Sequence, residues 1–471
     1  MIEIITGNNL DVLRTMEDNS VDSIITDPPY GLSKEPDALE MLRDWLDTGH
    51  HDKKGSGFMG KSWDGFVPQP IFWAECLRVL KPGGHLASFG GTRTFDLIAL
   101  GLRIAGFEFR QTVAWVYAQG FPKSLDISKS IDKQFGAERE VIGRKMFADG
   151  TQQRATARAG IYSDQKGQAI DTAPSSPEAK RYDGYGTDTK PAYEPILIFR
   201  KPISEKNIAQ NVLRWGTGGL NLKACRVGTE ESTIRNNTAV NSFMIGLDQK
   251  GETFQTGSSD GRFPPNFILD SHTAKLLDEQ SGCLTSGAGV KTMAGHNGGG
   301  RVALNDFNRS YSSDGVGGDS GGASRFFPII DFDVEIDTPF FYEGKAQTKE
   351  RNAGVRGEKK NNMRVNAPRE SEEQKTATLV GNFHPTVKPV NLMQWIVKLL
   401  TPEGGTVLEP FLGSGTTAVA CKMLGFDCIG IELNEEYSEI ARKRVDAVPE
   451  SLFDEPKKKL RKQAEQIAIQ S

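Results

Sequence analysis

The chain reads as an α/β protein, a mostly parallel sheet covered by helices, in two pieces separated by a loop-rich insertion. Three observations predict this. Apolar runs of strand length alternate with helix-period segments over the first 120 residues. The same rhythm returns between Val390 and Val445. Between them glycine and polar residues dominate: 12 glycines fall within the 42 residues 281–322, a density that suits long loops better than a core.

The elements follow in order. Ile2–Ile5 and Val21–Thr26 are strand-length apolar runs, and Leu10, Val12, Leu13 and Met16 between them mark one face of a short helix. Pro70 to Leu80 predicts a helix stopped by Pro82-Gly83-Gly84. His85–Phe89 predicts a strand, Thr94–Ala105 a helix and Glu108–Tyr117 a strand. From Gly136 to Lys190 periodicity fades, and a loop or mobile insertion is expected. Glu194–Arg200 is a strand. Residues 201–344 hold few long periodic runs, with RFPPNF (262–267) and RFFP (325–328) as packing anchors. Residues 345–370 carry eight basic and three acidic side chains, which suits either an exposed linker or a phosphate-contacting loop. Helix Val390–Leu400, strand Thr406–Pro410, helix Thr416–Leu424, strand Asp427–Ile431 and helix Glu435–Val445 then form another βαβ unit, where Cys421 and Cys428 are expected to pack. A polar tail with KKKLRK at 457–462 ends the chain.

Composition bounds the function. At 471 residues, a single core is too small, because cores seldom grow past about 250–300 residues. Hydrophobic residues at 37%, charged residues at 25% and a mean hydropathy of -0.43 fit a soluble globular protein and exclude a membrane-spanning or fibrous one. The net charge of -4 excludes a uniformly basic nucleic-acid coat but not a local basic stripe. Five cysteines without a CxxC suggest neither a disulfide framework nor a zinc site, so no metal is expected and the compartment is reducing. The N-terminus lacks the basic and apolar regions of a secretory signal. No apolar run reaches 18 residues, since Asp96 to Phe107 is interrupted by Asp96 and Arg103.

Two motifs carry chemistry. Asp27-Pro28-Pro29-Tyr30 stands at the carboxyl end of Val21–Thr26, the edge where open α/β sheets bind ligands. Two prolines fix the backbone there and donate no N–H, leaving carbonyls free to accept. A carboxylate and a carbonyl beside a tyrosine ring suit an exocyclic amine on a flat heterocycle: Asp27 and the Pro28 carbonyl hold the amine, and Tyr30 stacks on the ring. Asp-Pro and Pro-Pro are also ordinary turn punctuation, which is the competing reading.

The second motif is Leu408-Glu409-Pro410-Phe411-Leu412-Gly413-Ser414-Gly415-Thr416-Thr417, running from a strand into a helix. Gly413 and Gly415 permit a tight turn, and the first N–H groups of the helix face what lies above. Glu432 follows Gly413 by 19 residues, the spacing of an acidic partner for ribose hydroxyls. No Lys follows Gly415, so this is not a P-loop. Ala418 stands where a dinucleotide fingerprint would have its third glycine. The pattern fits a nucleoside without a pyrophosphate.

Together these residues resemble the beta group of S-adenosylmethionine-dependent DNA amino-methyltransferases, which modify adenine N6 or cytosine N4. Asp27–Tyr30 resembles the group's catalytic motif and FLGSGTT (411–417) its cofactor motif, in the group's permuted order. GNNLDVL (7–13), AWVYAQGFPKSLDISK (114–129) and HPTVKP (384–389) resemble further motifs in the right order, although Asn8 stands where the opening motif usually has Asp. The resemblance covers about residues 1–135, 190–200 and 383–445. It implies a Rossmann-like class I methyltransferase sheet in circularly permuted order. It further implies that Asp27, Pro28, Pro29 and Tyr30 hold the base. Phe411, Gly413, Ser414, Gly415 and Thr416 would line the methionine end of S-adenosylmethionine, Glu432 would take its ribose, and Thr386 and Lys388 would help close the pocket.

The organisation expected from this is a catalytic half, 1–200, with the insertion 136–190; a target-recognition region, 201–344; a basic linker, 345–382; a cofactor-binding half, 383–446; and a charged tail, 447–471. The implied function is site-specific methylation of adenine N6 in double-stranded DNA, as part of a restriction-modification or related system. The expected location is bacterial cytoplasm or that of a phage host, without membrane association and with homodimerisation left open. Cytosine-N4 methylation is the nearest alternative. RNA or protein-glutamine methylation and an inactive DNA-binding protein stand further off.

Overall fold

Val21–Thr26 is buried at every residue, as a strand must be when helices cover both faces of its sheet. Ile24 and Ile25 point into different core clusters, one on each side, because successive side chains alternate across a strand. The computed structural model describes residues 1–31, 36–52, 65–117, 124–144, 170–227, 235–238, 253–256, 261–285, 320–330 and 387–449. The basic stretch 345–370, Thr386 and the tail from 450 lie outside the described residues.

In the first piece, β1 (Ile2–Thr6), α1 (Asn9–Thr15) and β2 (Val21–Thr26) lead to α2 (Ala38–Asp47), α3 (Pro70–Val79), β3 (Leu80–Phe89), α4 (Phe95–Ile104) and β4 (Glu108–Val116). Next come α5 (Ile127–Phe135), β5 (Val141–Arg144), β6 (Ile170–Thr172), α6 (Pro177–Arg181), β7 (Tyr193–Arg200) and α7 (Ile208–Trp215). Short strands β8 (Arg235–Thr238) and β9 (Thr253–Thr256) precede β10 (Phe267–Leu269), α8 (Ser271–Ser281), β11 (Leu284–Thr285) and β12 (Ser320–Gly321). The last piece is α9 (Val390–Leu400), β13 (Thr406–Glu409), α10 (Thr416–Leu424), β14 (Asp427–Glu432) and α11 (Glu435–Asp446).

Eight strands form one sheet in the order β1-β14-β13-β2-β3-β7-β4-β10. Every neighbouring pair is parallel except those of β7, which runs antiparallel to β3 and β4. This is the expected α/β, Rossmann-like architecture, with the N-terminal and C-terminal pieces in one sheet. They meet in its middle, where β13 pairs with β2 through Val407–Ser23 and Leu408–Ile24. From there β13 leads to β14 on one side and β2 to β3 on the other. That divergence opens a crevice at the carboxyl ends. Cys421 and Cys428 are buried in the core, as expected.

Three expectations change. Pro82-Gly83-Gly84 does not separate helix from strand. The helix stops at Val79, and β3 runs through the glycines as a wide irregularity, its pairing with β2 jumping from Val21–Leu80 to Ser23–His85. A bulge tolerates proline because it needs no ladder donor there. Gly83 takes φ +79°, and the buried Asn211 donates to the carbonyls of Pro82 and Thr217 at 2.8 Å each. The span 136–190 is also not all loop. β5 and β6 pair, and the buried Arg139–Asp132 ion pair ties them to α5, while Asp132 also accepts from Ser175 and Ser176. Finally, 201–344 contributes to the sheet itself, since β10 adds to the edge beside β4. The two aromatic-proline anchors do meet there, through Phe267 and Phe327.

Asn211 also accepts the Ser204 N–H, at 3.1 Å. Asn211→Asp keeps the shape but turns an acceptor toward two buried carbonyls. It should destabilise the fold by about 2–4 kcal/mol, at least as much as Asn211→Ala. Thermal unfolding of both variants checks this ordering.

Candidate active site

The carboxyl end of β2 delivers Asp27 and Tyr30 to the crevice. Thr94 donates to the Tyr30 carbonyl at 2.6 Å, and Gly91 leaves room for the ring, since a Cβ there would stand 3.2 Å from Tyr30 Cδ2. Pro28 is buried and Pro29 partly buried. Lys388, just before α9, reaches into the same space with its side chain only 8% exposed. Its ammonium lies 2.8 Å from Asp27 Oδ2, 3.0 Å from Glu194 Oε2 and 3.1 Å from Tyr30 Oη. It also stands 4.8 Å above the centre of the Phe89 ring. The Tyr30 hydroxyl accepts from Lys388 and has one proton to offer Asp27 Oδ1, at 2.8 Å, or Glu194 Oε2, at 3.1 Å.

Charge and burial oppose each other at this cluster. Burial favours the neutral amine of Lys388, but the carboxylates of Asp27 and then Glu194 more than offset it, raising its pKa above the usual lysine value. Burial, followed by the same two carboxylates, pushes the Tyr30 phenol well above its ordinary range. Lys388 therefore stays an ammonium and Tyr30 a neutral phenol at any physiological pH.

One strand over, β13 ends at Glu409 and the chain turns through Phe411–Gly415 into α10. Gly413 takes φ +56° and Gly415 +83°; a Cβ at Gly415 would come within 2.7 Å of the Ala441 Cβ. Glu432, ending β14, accepts the Gly413 N–H on Oε2 and the Asn434 N–H on Oε1, each at 2.8 Å. Each oxygen keeps a further lone pair, as a partner for two vicinal hydroxyls needs. Burial raises the pKa of this carboxyl. Ser414 and Thr416 are buried, and the guanidinium of Arg444 donates to both hydroxyls at 3.1 Å and to the Ser414 carbonyl at 2.8 Å. Phe411 stacks at a tilt on Phe72, 5.1 Å between centres. Asn8 caps α1, and Asn9 donates to the Pro410 carbonyl.

Glu409 links the two strand ends. Its Oε1 accepts from the Thr26 hydroxyl at 2.6 Å and the Phe411 N–H at 3.1 Å; its Oε2 accepts from the Thr417 hydroxyl at 2.8 Å. Burial nevertheless pushes its carboxyl up to about 8, against the pull of those donors.

Asp27, Tyr30 and Lys388 thus form one contact group, and the 411–416 turn with Glu432 forms a second on the adjacent strand. Thr386 falls outside the described residues. Sequence reasoning gave no role to Glu194, Glu409 or Arg444. Glu409 lies within the quoted motif and could have been flagged as an acid at a buried strand end. Glu194 could not, because its place depends on β7 running antiparallel.

The family described as DNA methylase, of the N6/N4 methyltransferase type, matches residues 21–443. The type II methyltransferase M2.DpnII of Streptococcus pneumoniae is 50% identical over 68 residues, 14% of this chain and 25% of that protein. M.HpaI of Haemophilus parainfluenzae is 45% identical over 64 residues, 14% and 20% of the two chains. The chain thus spans about a quarter of the length of the curated relatives it matches. The solved PvuII DNA methyltransferase, cytosine-N4-specific, overlaps 94% of this chain and 85% of its own at 11% identity, with a TM-score of 0.38, too loose to bear on the fold.

The raised Glu409 carboxyl makes a pH prediction. Between its ordinary 4.5 and about 8 the folded state holds a proton that the unfolded state has lost, so its contribution to stability declines as pH rises through that window. The difference in melting temperature between the wild type and Glu409→Gln should therefore shift steadily against the wild type from pH 5 to 8. A constant difference would mean that Glu409 is ionised throughout.

Proposed function

Because the chain belongs to the N6/N4 DNA methylase family, matched over residues 21–443, we propose that it methylates the N6 amine of adenine in double-stranded DNA, using S-adenosylmethionine. The observation that carries this reading is the placement of Asp27 beside the 411–416 turn, on adjacent parallel strands. An amine held at one strand end faces a nucleoside held at the next.

The residues around the turn suit that cofactor: the positive φ of Gly413 and Gly415 lets the backbone turn tightly, with Gly415 packed against Ala441, and the Glu432 carboxyl at the end of the next strand offers acceptors for sugar hydroxyls. Phe411, Gly413, Ser414, Gly415 and Thr416 would hold the methionine end, with Ser414 and Thr416 braced from beneath by Arg444. Bound there, S-adenosylmethionine supplies an electrophilic methyl on a sulfonium, itself a good leaving group. The protein's task is then alignment, which can be worth several orders of magnitude in rate.

The adenine must leave the helix, because its amine is out of reach in the stack. One amine hydrogen goes to Asp27 and the other to the Pro28 carbonyl, turning the nitrogen lone pair toward the methyl. Lys388 and Tyr30 pin the Asp27 carboxylate while this happens. No strong base is required: the amine becomes acidic only as the bond forms, and its proton passes to Asp27 or to solvent. Adenine is favoured over cytosine because the resemblance links Asp at the first motif position with adenine. Target recognition is assigned to the parts of 201–344 outside the sheet, assisted by the basic residues of 345–370.

Transfer of labelled methyl to methyl-free DNA, followed by nucleoside analysis, tests the reading. Label should appear in N6-methyldeoxyadenosine and vanish with Asp27→Ala, while binding of S-adenosylhomocysteine persists. Label in cytosine would overturn the choice of base, and no label in any DNA would overturn the substrate.

Two further variants separate the roles. Glu432→Ala should weaken S-adenosylhomocysteine binding by about 1–3 kcal/mol in calorimetry, since it removes the hydroxyl acceptors and frees the Gly413 N–H. Tyr30→Phe should keep most activity, because Lys388 still holds Asp27 and the stacking face remains. Tyr30→Ala should lose about 1–3 kcal/mol in binding an extruded fluorescent base analogue.

A further inference from the structure

Glu194 is the second residue of β7, whose antiparallel direction brings its first residues to the edge where β2 and β13 end. Its side chain is 17% exposed, and its Oε2 contacts both the Lys388 ammonium at 3.0 Å and the Tyr30 hydroxyl at 3.1 Å. We infer that Glu194 is a positioning residue for methyl transfer, acting through Lys388 to hold Asp27 in place without letting the ammonium neutralise the site. The inference rests on the methyltransferase reading above.

Two features support it. A lysine ammonium has three hydrogens, and here Asp27, Glu194 and Tyr30 supply one acceptor for each, so its head group cannot rotate. Without Glu194 one hydrogen has no acceptor in this cluster, and the grip on Asp27 loosens. The second feature is charge. Lys388 paired with Asp27 alone would make a neutral couple, whereas sharing it between two carboxylates leaves one negative charge in excess beside the amine. Methyl transfer turns that amine from neutral to cationic, and a fixed negative excess stabilises charge of that sign as it develops. Glu194 touches neither reacting atom; it sets the position and effective charge of the group that does.

The test uses the full chain, labelled S-adenosylmethionine and methyl-free DNA, with steady-state kinetics of the wild type, Glu194→Gln, Glu194→Asp, Lys388→Met and the Glu194→Gln/Lys388→Met double variant. Glu194→Gln keeps the size of the side chain and removes its charge. It should lower kcat by roughly 10- to 100-fold, the scale of a small misplacement at a reacting centre. The KM values for cofactor and DNA should change less than about threefold, because the lost interaction matters in the transition state. Glu194→Asp should recover part of the rate. In the Lys388→Met background, adding Glu194→Gln should not lower kcat further, because the route through the ammonium is already gone and the change removes a carboxylate left facing Asp27 without a counter-charge. Melting temperatures of the wild type and Glu194→Gln should agree. An unaltered kcat in Glu194→Gln, a loss that multiplies in full with that of Lys388→Met, or a loss that tracks a fall in melting temperature would each overturn the assignment. A wild type that methylates no DNA would bring down the methyltransferase reading and this inference together; an active wild type with an unaffected Glu194→Gln overturns the inference alone.

Discussion

The hydrogen bond from the Thr26 hydroxyl to the Glu409 carboxyl joins the ends of two strands whose linked residues are 383 positions apart in the chain. Everything else in the site depends on that adjacency. Asp27 follows directly from Thr26, and the glycine turn follows directly from Glu409, whose Oε1 also accepts the Phe411 N–H. One buried carboxyl group therefore sets the spacing between the residue proposed to hold the amine and the turn proposed to hold the methyl donor. Because β13 inserts between β14 and β2, the linked ends lie at the point where the chain leaves in opposite directions along the sheet.

A second cross-chain tie acts above the first. Lys388 precedes α9 and contacts Asp27, so the C-terminal piece reaches over the carboxyl end of β2 in the N-terminal one. Burying an ammonium is unfavourable unless acceptors surround it, and here two carboxylates and a phenol oxygen do so. Such a cluster is sensitive to composition: removing the ammonium would leave Asp27 and Glu194 facing each other without a counter-charge. Beneath the turn, Arg444 does comparable duty, holding the Ser414 and Thr416 hydroxyls from a helix that closes the last βαβ unit.

Periodicity made the regular part of the fold legible. Val390–Leu400, Thr416–Leu424 and Val21–Thr26 appear where apolar spacing puts them, because each buries one strong apolar pattern in the core. What local pattern could not reveal depends on distant partners. Pro82-Gly83-Gly84 looks like a stop, but Asn211 and Thr217 satisfy the freed Pro82 carbonyl and let β3 continue. The antiparallel pair of β5 and β6 is hidden in polar sequence because its anchor is an ion pair, Arg139 with Asp132, rather than an apolar face. At the site, Asp27, Tyr30, the glycine turn and Glu432 were readable because their spacing is local. Glu194 was not, because only the reversed direction of β7 brings it to Lys388.

The central claim is that the ends of β2 and β13 form one site, with the cofactor on the turn and the amine on Asp27. A crystal structure of the full chain with S-adenosylhomocysteine measures this most directly. The account predicts the ribose hydroxyls on Glu432, the thioether sulfur over the 411–416 turn, and a clear path from that sulfur to the Asp27 carboxylate. A nucleoside bound elsewhere, or one whose sulfur is walled off from Asp27, would contradict it.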